Sequence, residues 1–276
     1  MVSWGMASPL SDLAIQSISP FLLALVQSLV GTVFIGAILV AKRRRPQIPW
    51  KLAIALGVAE PGLTFLFGNF GYSHGTVSVG VIILSLETIF AVLIAALWLK
   101  EKLRLREAIA ILIGIGGAIL GADPFTHTGK TDAIGILSFT MAALMAALYV
   151  TMVRKYGKEY LPVDLAFGQM LASSALTAFS LLFISAHARS LNHPMHFWIV
   201  GCLSGLFGVG IPFIAFAIAA KRITATHLAI GLNLIPVAAM VGSVLLGLGA
   251  PGPLQITGVA LLILSLGVLA KNLEVS

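Results

Sequence analysis

The sequence predicts an all-α integral membrane protein, a polytopic bundle of nine clear transmembrane helices plus a partial first helix. Three observations predict it. The 276 residues are 59% hydrophobic and only 10% charged, whereas a soluble domain carries roughly 25% charged residues. Nine apolar runs reach or approach the ~20 residues that cross a bilayer. The basic residues collect in every second loop between those runs.

The runs cover Pro20–Ala41, Lys51–Tyr72, Thr76–Leu99, Glu107–Ala122, Asp132–Val153, Pro162–Ala186, Phe197–Ala220, Thr224–Gly247 and Leu254–Ala270. The fourth is short. The connections are too short to hold a soluble module, so the chain reads as a single transmembrane domain over 1–276.

Charge sets the orientation. One set of loops carries Lys42, Arg43, Arg44, Arg45 and Lys51, then Lys100, Lys102, Arg104 and Arg106, then Arg154, Lys155 and Lys158, then Lys221 and Arg222, and last Lys271. The alternate loops carry only Lys130 and Arg189. Basic loops stay in the cytoplasm, so these loops and the C-terminus are expected there, in the inner membrane. The split also checks the number of runs, because a missed or false span would scramble the alternation.

Nine spans leave the segment before Pro20 outside. Met1–Ser17 reads as the outer half of a further helix, too short to span. Met1–Leu10 has no basic n-region and no Ala-x-Ala site, so no signal peptide is expected. The net charge of +7 would suggest nucleic acid in a soluble chain, but here it follows topology, and no nucleic acid is expected as a partner. The single cysteine, Cys202, excludes an intramolecular disulfide and reads as a packing residue.

Two halves align internally. Pro20 and Gln27 are seven apart in SPFLLALVQSLVGTVF, as are Pro162 and Gln169 in LPVDLAFGQMLASSALTAF, at an offset of 142. Further on, TVSVGVIILSLETIFAVL matches TATHLAIGLNLIPVAAMV at an offset of 148, pairing Ser85 with Asn233 and Thr88 with Pro236. The expected units are 1–122 and 132–271, five helices each. Five is odd, so the second unit enters the membrane inverted. Inverted repeats are a transporter architecture, with the solute site near midplane between the halves.

Several stretches carry a family resemblance. WGMASPL followed by ISPFLLALVQSLVG, then LSLETIFAVLIAALWLKEKLRLREAIAILIGIGGAIL, then LNLIPVAAMVGSVLLG resemble the drug/metabolite transporter superfamily, in its EamA-type branch of ten-helix carriers. Thr88 stands where that pattern has proline, Gln27 where many members have arginine, and LGLGAPGPLQ lacks the usual glutamate. The resemblance implies a secondary transporter, most often an exporter, of amino acids or related small metabolites.

Charged groups within a bilayer are costly, and each is a functional candidate. Glu87 lies near the middle of its run. It reads either as an amine- or proton-binding group or as a protonated acid hydrogen-bonded to a neighbouring helix. Glu60 precedes Pro61 and Gly62, and proline kinks a helix, so a carboxylate beside a bend is a binding and gating candidate or an acceptor at a structural kink. Gln27 and Gln169 are repeat mates that read as gate hydrogen bonds or interhelical glue. Ser85, Asn233 and Tyr72 complete the expected substrate-binding or coupling set. Asn69, Tyr149 and His227 form a second tier. His187, His193 and His196 have spacings that fit no standard zinc pattern and read as a solvated loop. Gly117 with Gly121, and Gly201 with Gly205, read as close-packing pairs.

No Walker loop, HExxH, GxSxG or CxxC occurs, so no enzyme activity, metal or cofactor is expected. The expected partners are a small-molecule substrate and membrane lipids, with a homodimer left open. The alternative reading is a non-transporting membrane assembly or scaffold protein, which has little need of intramembrane carboxylates or an inverted repeat.

Overall fold

The structure is a computed structural model and describes residues 1–75, 77–121, 132–185, 189–247 and 252–270. Every regular element among them is helical. Helix α1 (Val2–Ile15) leads into α2 (Pro20–Ala41). Helix α3 (Trp50–Gly57) continues through a π segment, Val58–Leu63, into α4 (Thr64–Ser73). Helices α5 (Val77–Leu84) and α6 (Leu86–Ile94) follow, then α7 (Leu105–Gly121), α8 (Ala133–Tyr156) and α9 (Pro162–Ser180). Helix α10 (Met195–Gly205) passes through a second π segment, Leu206–Gly210, into α11 (Ile211–Ala220). The chain ends in α12 (Ala225–Gly231), α13 (Leu234–Leu245) and α14 (Pro253–Ala270).

The starts of these helices are written locally. The Ser19 hydroxyl accepts the Leu22 amide, and Pro20 fills the first turn, where its missing N–H costs nothing. Asp132 caps α8 through the Gly135 amide at 2.8 Å. Thr224 caps α12 through the His227 amide at 3.1 Å.

Among the described residues, five helical stretches are long and apolar enough to cross a membrane: Pro20–Ala41, Trp50–Gly71, Ala133–Glu159, Pro162–Phe183 and Met195–Ala220. The outer surface agrees with that environment. Val33, Val40, Leu97, Leu105, Leu112, Phe183 and Leu245 are each at least 70% exposed. A water-soluble monomer does not present so much contiguous apolar surface. Cys202, expected to pack, is exposed on this outer surface. Helix α10 turns Gly201, Ser204 and Gly205 inward, which leaves position 202 about 100° away on the helix wheel.

Glycine sets the closest helix contacts. A side chain on Gly117 would meet the Gly258 carbonyl at 2.7 Å and Leu262 at 3.0 Å, so α7 and α14 touch backbone to backbone. One on Gly205 would meet the Gln27 Cα at 2.9 Å, which brings α10 against α2. Gly57 lies against the Gln169 carbonyl in the same way, bringing α3 against α9. Helices α2 and α9 meet each other along a polar seam: Ser28 to Ser173 at 2.9 Å and Thr32 to Ser174 at 3.1 Å.

Two runs expected to be continuous are broken. Ser85 separates α5 from α6, and Leu232–Asn233 separate α12 from α13. At the first break the Thr88 amide bonds to the Ser85 carbonyl, and at the second the Ile235 amide bonds to that of Leu232. Both are tight three-residue spans. Pro236 adds a reason at the second, because it has no amide to continue the ladder. Ser85 and Asn233 stand 148 positions apart, as do Gly57 and Gly205 and the starts of the two π segments, Val58 and Leu206.

The basic loops share one end of the bundle. Arg44 pairs with Asp164 at 2.6 Å, and the Gln47 amide donates to the same carboxylate oxygen. Arg154 donates to the Ala220 carbonyl at 2.9 Å and lies 4.0 Å from Glu101. At the other end, His74 contacts Asp132 at 3.1 Å, and His193 contacts Ser17 at 3.0 Å.

Candidate functional site: a carboxylate pair beside a broken helix

The π segment between α3 and α4 is where the site begins. Proline disfavours helical geometry in the residue before it, and Glu60 is extended, with φ −147° and ψ 131°. The Thr64 amide reaches back to Ala59, so the Glu60 carbonyl loses its usual intrahelical donor. A freed carbonyl inside a membrane needs another partner. The Gln169 side chain, from α9, supplies it at 2.7 Å. The Thr64 hydroxyl also bonds to the Ala59 carbonyl at 3.0 Å.

The Glu60 side chain comes close enough to Glu87, in the first turn of α6, for the two carboxylates to interact electrostatically. Both are half-buried. Two neighbouring carboxylates are stabilised by a proton or a cation held between them.

Tyr149, from α8, closes the site on one side. It is 1% exposed. Its hydroxyl lies beside Gln169 and Glu60 but makes no well-formed hydrogen bond among the described residues. Its ring packs on Phe213 and Phe216 at centroid distances of 5.5 and 5.3 Å, and Trp4 packs on the same two rings at 5.3 and 5.5 Å. Four aromatic rings from α1, α8 and α11 thus pack as one wall.

The other sequence candidates are distributed around this centre. Gln27 donates to Ser11 at 2.9 Å and to Ser204 at 3.0 Å, joining α2 to α1 and α10. Asn233 donates to Ser265 on α14 at 3.2 Å and packs against Gly114 on α7. Ser85 sits at the break immediately before α6, two residues from Glu87. The Tyr72 side chain and His187 lie outside the described residues. Asn69 donates to the Pro20 carbonyl at 3.1 Å. His193 bonds to Ser17 and to the Ser190 carbonyl, and His196 stacks on Phe197. Glu60, Glu87 and Gln169 therefore come together, whereas Gln27 and Asn233 make their contacts elsewhere.

Trp4, Phe213 and Phe216 were not singled out from the sequence. Their only signal is the i, i+3 spacing of the two phenylalanines, which an apolar helix shows by chance.

Comparison with known proteins matches the sequence to a family. A model of the EamA-like transporter family matches residues 1–121 and again 133–270. An uncharacterized transporter of Archaeoglobus fulgidus is 24% identical over 250 residues, covering 88% of this chain and 86% of that protein. A solved crystal structure resembles the fold with a TM-score of 0.84 at 21% identity, covering 99% of this chain and 95% of that one.

Proposed function

The chain belongs to the EamA-like transporter family, and on that premise we propose that it is a secondary carrier that exports amino acids or related small metabolites across the inner membrane by alternating access. In this reading the chain crosses the membrane as two inverted five-helix units, 1–122 and 132–271. The basic loops and the C-terminus face the cytoplasm. The matched breaks 148 residues apart and the reciprocal packing of Gly57 on Gln169 and Gly205 on Gln27 support the repeat.

The observation that carries the reading is the accessible carboxylate pair beside a broken helix. Broken helices near midplane are where carriers bind solute, because unwound backbone offers polar groups that a continuous helix consumes. Glu60 and Glu87 would take the solute ammonium or a coupling proton. Gln169, Ser85 and Tyr72 would orient it. Gln27 and Asn233 would serve by holding the cavity-lining helices in register. Outward movement follows if the solute binds from the cytoplasmic mouth and a proton returns in exchange.

The test is uptake of tritiated amino acids, one at a time, into proteoliposomes with and without a pH gradient. The reading predicts saturable flux for at least one, accelerated by the gradient. Flux no greater than in protein-free liposomes for every amino acid would overturn it.

A further inference from the structure

At the basic end, two segments from different halves of the chain are joined by a compact set of polar contacts. One is the loop from α6 into α7. The other is the turn from α11 into α12. Glu101, in the loop, accepts the Ala225 amide at 3.2 Å. The same carboxylate oxygen lies 4.0 Å from Arg154, whose guanidinium also donates to the Ala220 carbonyl at 2.9 Å. Arg154 thus ties α8 to both segments.

A second carboxylate works beside it. Glu107 accepts the Arg104 amide at 2.7 Å, which fixes the entry to α7. Its other oxygen lies 3.8 Å from His227, in the first turn of α12. The far side of that imidazole contacts the Thr224 hydroxyl at 2.6 Å, and Thr224 is the residue that caps α12. Deeper in the bundle, the Thr88 hydroxyl points to the Ala229 carbonyl at 3.5 Å. Thr88 follows Glu87 directly, so the contacts between α6 and α12 run from the loops down to the carboxylate pair.

These contacts differ in kind from the glycine seams that join the halves. The α7–α14 seam presses glycine backbones together, and α3 meets α9 through Gly57 in the same manner. Such seams cannot part without opening voids over their whole length. The contacts that Glu101 makes between the α6–α7 loop and the α11–α12 turn are instead polar, and Glu101 and Arg154 keep 19% and 16% of their side chains exposed, so water can replace these partners at a net cost of about 1–3 kcal/mol.

We propose that the α6–α7 loop and the α11–α12 turn are the inner gate of the carrier, latched shut by Glu101 and Glu107 and standing closed over the carboxylate pair in this structure. The proposal rests on the carrier reading above and adds to it which contacts must break. Loss of the Glu101 carboxylate removes the side-chain partner of the Ala225 amide and one of the two partners of Arg154, so the gate opens more often to the basic face.

The test does not depend on knowing the solute. Glu87→Cys in a Cys202→Ser background serves as a reporter, labelled by a membrane-impermeant charged methanethiosulfonate from either face of sealed vesicles. Glu101→Ala, and independently Arg154→Gln, should raise the labelling rate from the basic face about tenfold, the shift expected from losing one charged hydrogen bond. The rate from the opposite face should fall or stay level. An unchanged rate from the basic face in both variants would overturn the gate. So would faster labelling from both faces in both variants, since the contacts would then be holding the fold rather than one mouth. Absence of amino-acid flux in the parent protein would sink the carrier reading instead, and leaves the labelling result to be judged by itself.

Discussion

The side-chain amide of Gln169 donates a 2.7 Å hydrogen bond to the main-chain carbonyl of Glu60. It replaces the donor that the helix withdraws when the Thr64 amide turns back to Ala59. Gln169 is 2% exposed, so water is a poor substitute. Gln169→Leu should therefore cost about 1–3 kcal/mol, the penalty of a buried acceptor left unpaired. Thermal unfolding in detergent measures it. A Tm equal to that of the parent protein would mean that the broken segment does not depend on this bond.

Gly57 and Gly205 each bring one half of the chain against the other. A side chain at Gly57 would collide with the Gln169 carbonyl and come within 2.9 Å of Ala172, and one at Gly205 would lie 2.9 Å from the Gln27 Cα. Neither neighbour is a flexible side-chain end. Gly57→Val and Gly205→Val should each destabilise by about 1–3 kcal/mol through overpacking. Gly116, with nothing within 4 Å of an added side chain, is the control: Gly116→Ala should leave the Tm level or slightly raised, because alanine favours the helix. Equal effects at all three positions would show that helix propensity, not interhelical contact, decides.

In the proposed carrier, Glu87 would couple flux to protons. Glu87→Gln keeps the shape and removes the charge change. The response of flux to a pH gradient should fall by about tenfold or more, as expected when a general proton carrier is removed, while the Tm holds. A variant that retains the full gradient response would take Glu87 out of the coupling step and leave Glu60 as the remaining candidate.

Asp132 caps α8, just before the apolar stretch Ala133–Glu159. The Gly135 amide, helped by the His74 side chain, holds its carboxyl below the ordinary range. A depressed folded-state value means that the cap stabilises the fold above the ordinary carboxyl range, near pH 4, and that the contribution is lost as pH falls through the lowered value. The Tm difference between the parent and Asp132→Ala should be complete at pH 7 and shrink below about pH 4. A difference that is constant down to pH 3 would mean that the charge plays no part in the cap.

Much of the fold could be read directly. Ser19 followed by Pro20 marks the start of α2 because both effects are local: a hydroxyl cap and a proline in the first turn. Glu60 before Pro61 likewise announced a bend, and the bend is there. The breaks at Ser85 and Leu232–Asn233 were not legible as breaks, because hydropathy is the same on both sides of a kink. Gln27 and Asn233 show why polar residues in apolar runs resist assignment. Their hydroxyl partners, Ser11, Ser204 and Ser265, lie 16, 177 and 32 positions away, and serine leaves no trace of its neighbours in the sequence. The wall of Trp4, Phe213 and Phe216 was hidden for a related reason: phenylalanine is equally at home facing lipid.

Topology labelling tests the inverted arrangement most directly. Arg43 follows the second helix of the first unit, and Ser190 follows its counterpart α9 in the second. Single cysteines at these positions and at Arg222, in a Cys202→Ser background, can be treated with a membrane-impermeant maleimide in spheroplasts and in inverted vesicles. The account predicts that Arg43→Cys and Arg222→Cys react only in inverted vesicles and Ser190→Cys only in spheroplasts. Arg43→Cys and Arg222→Cys on opposite faces, or Arg43→Cys and Ser190→Cys on the same face, would contradict it.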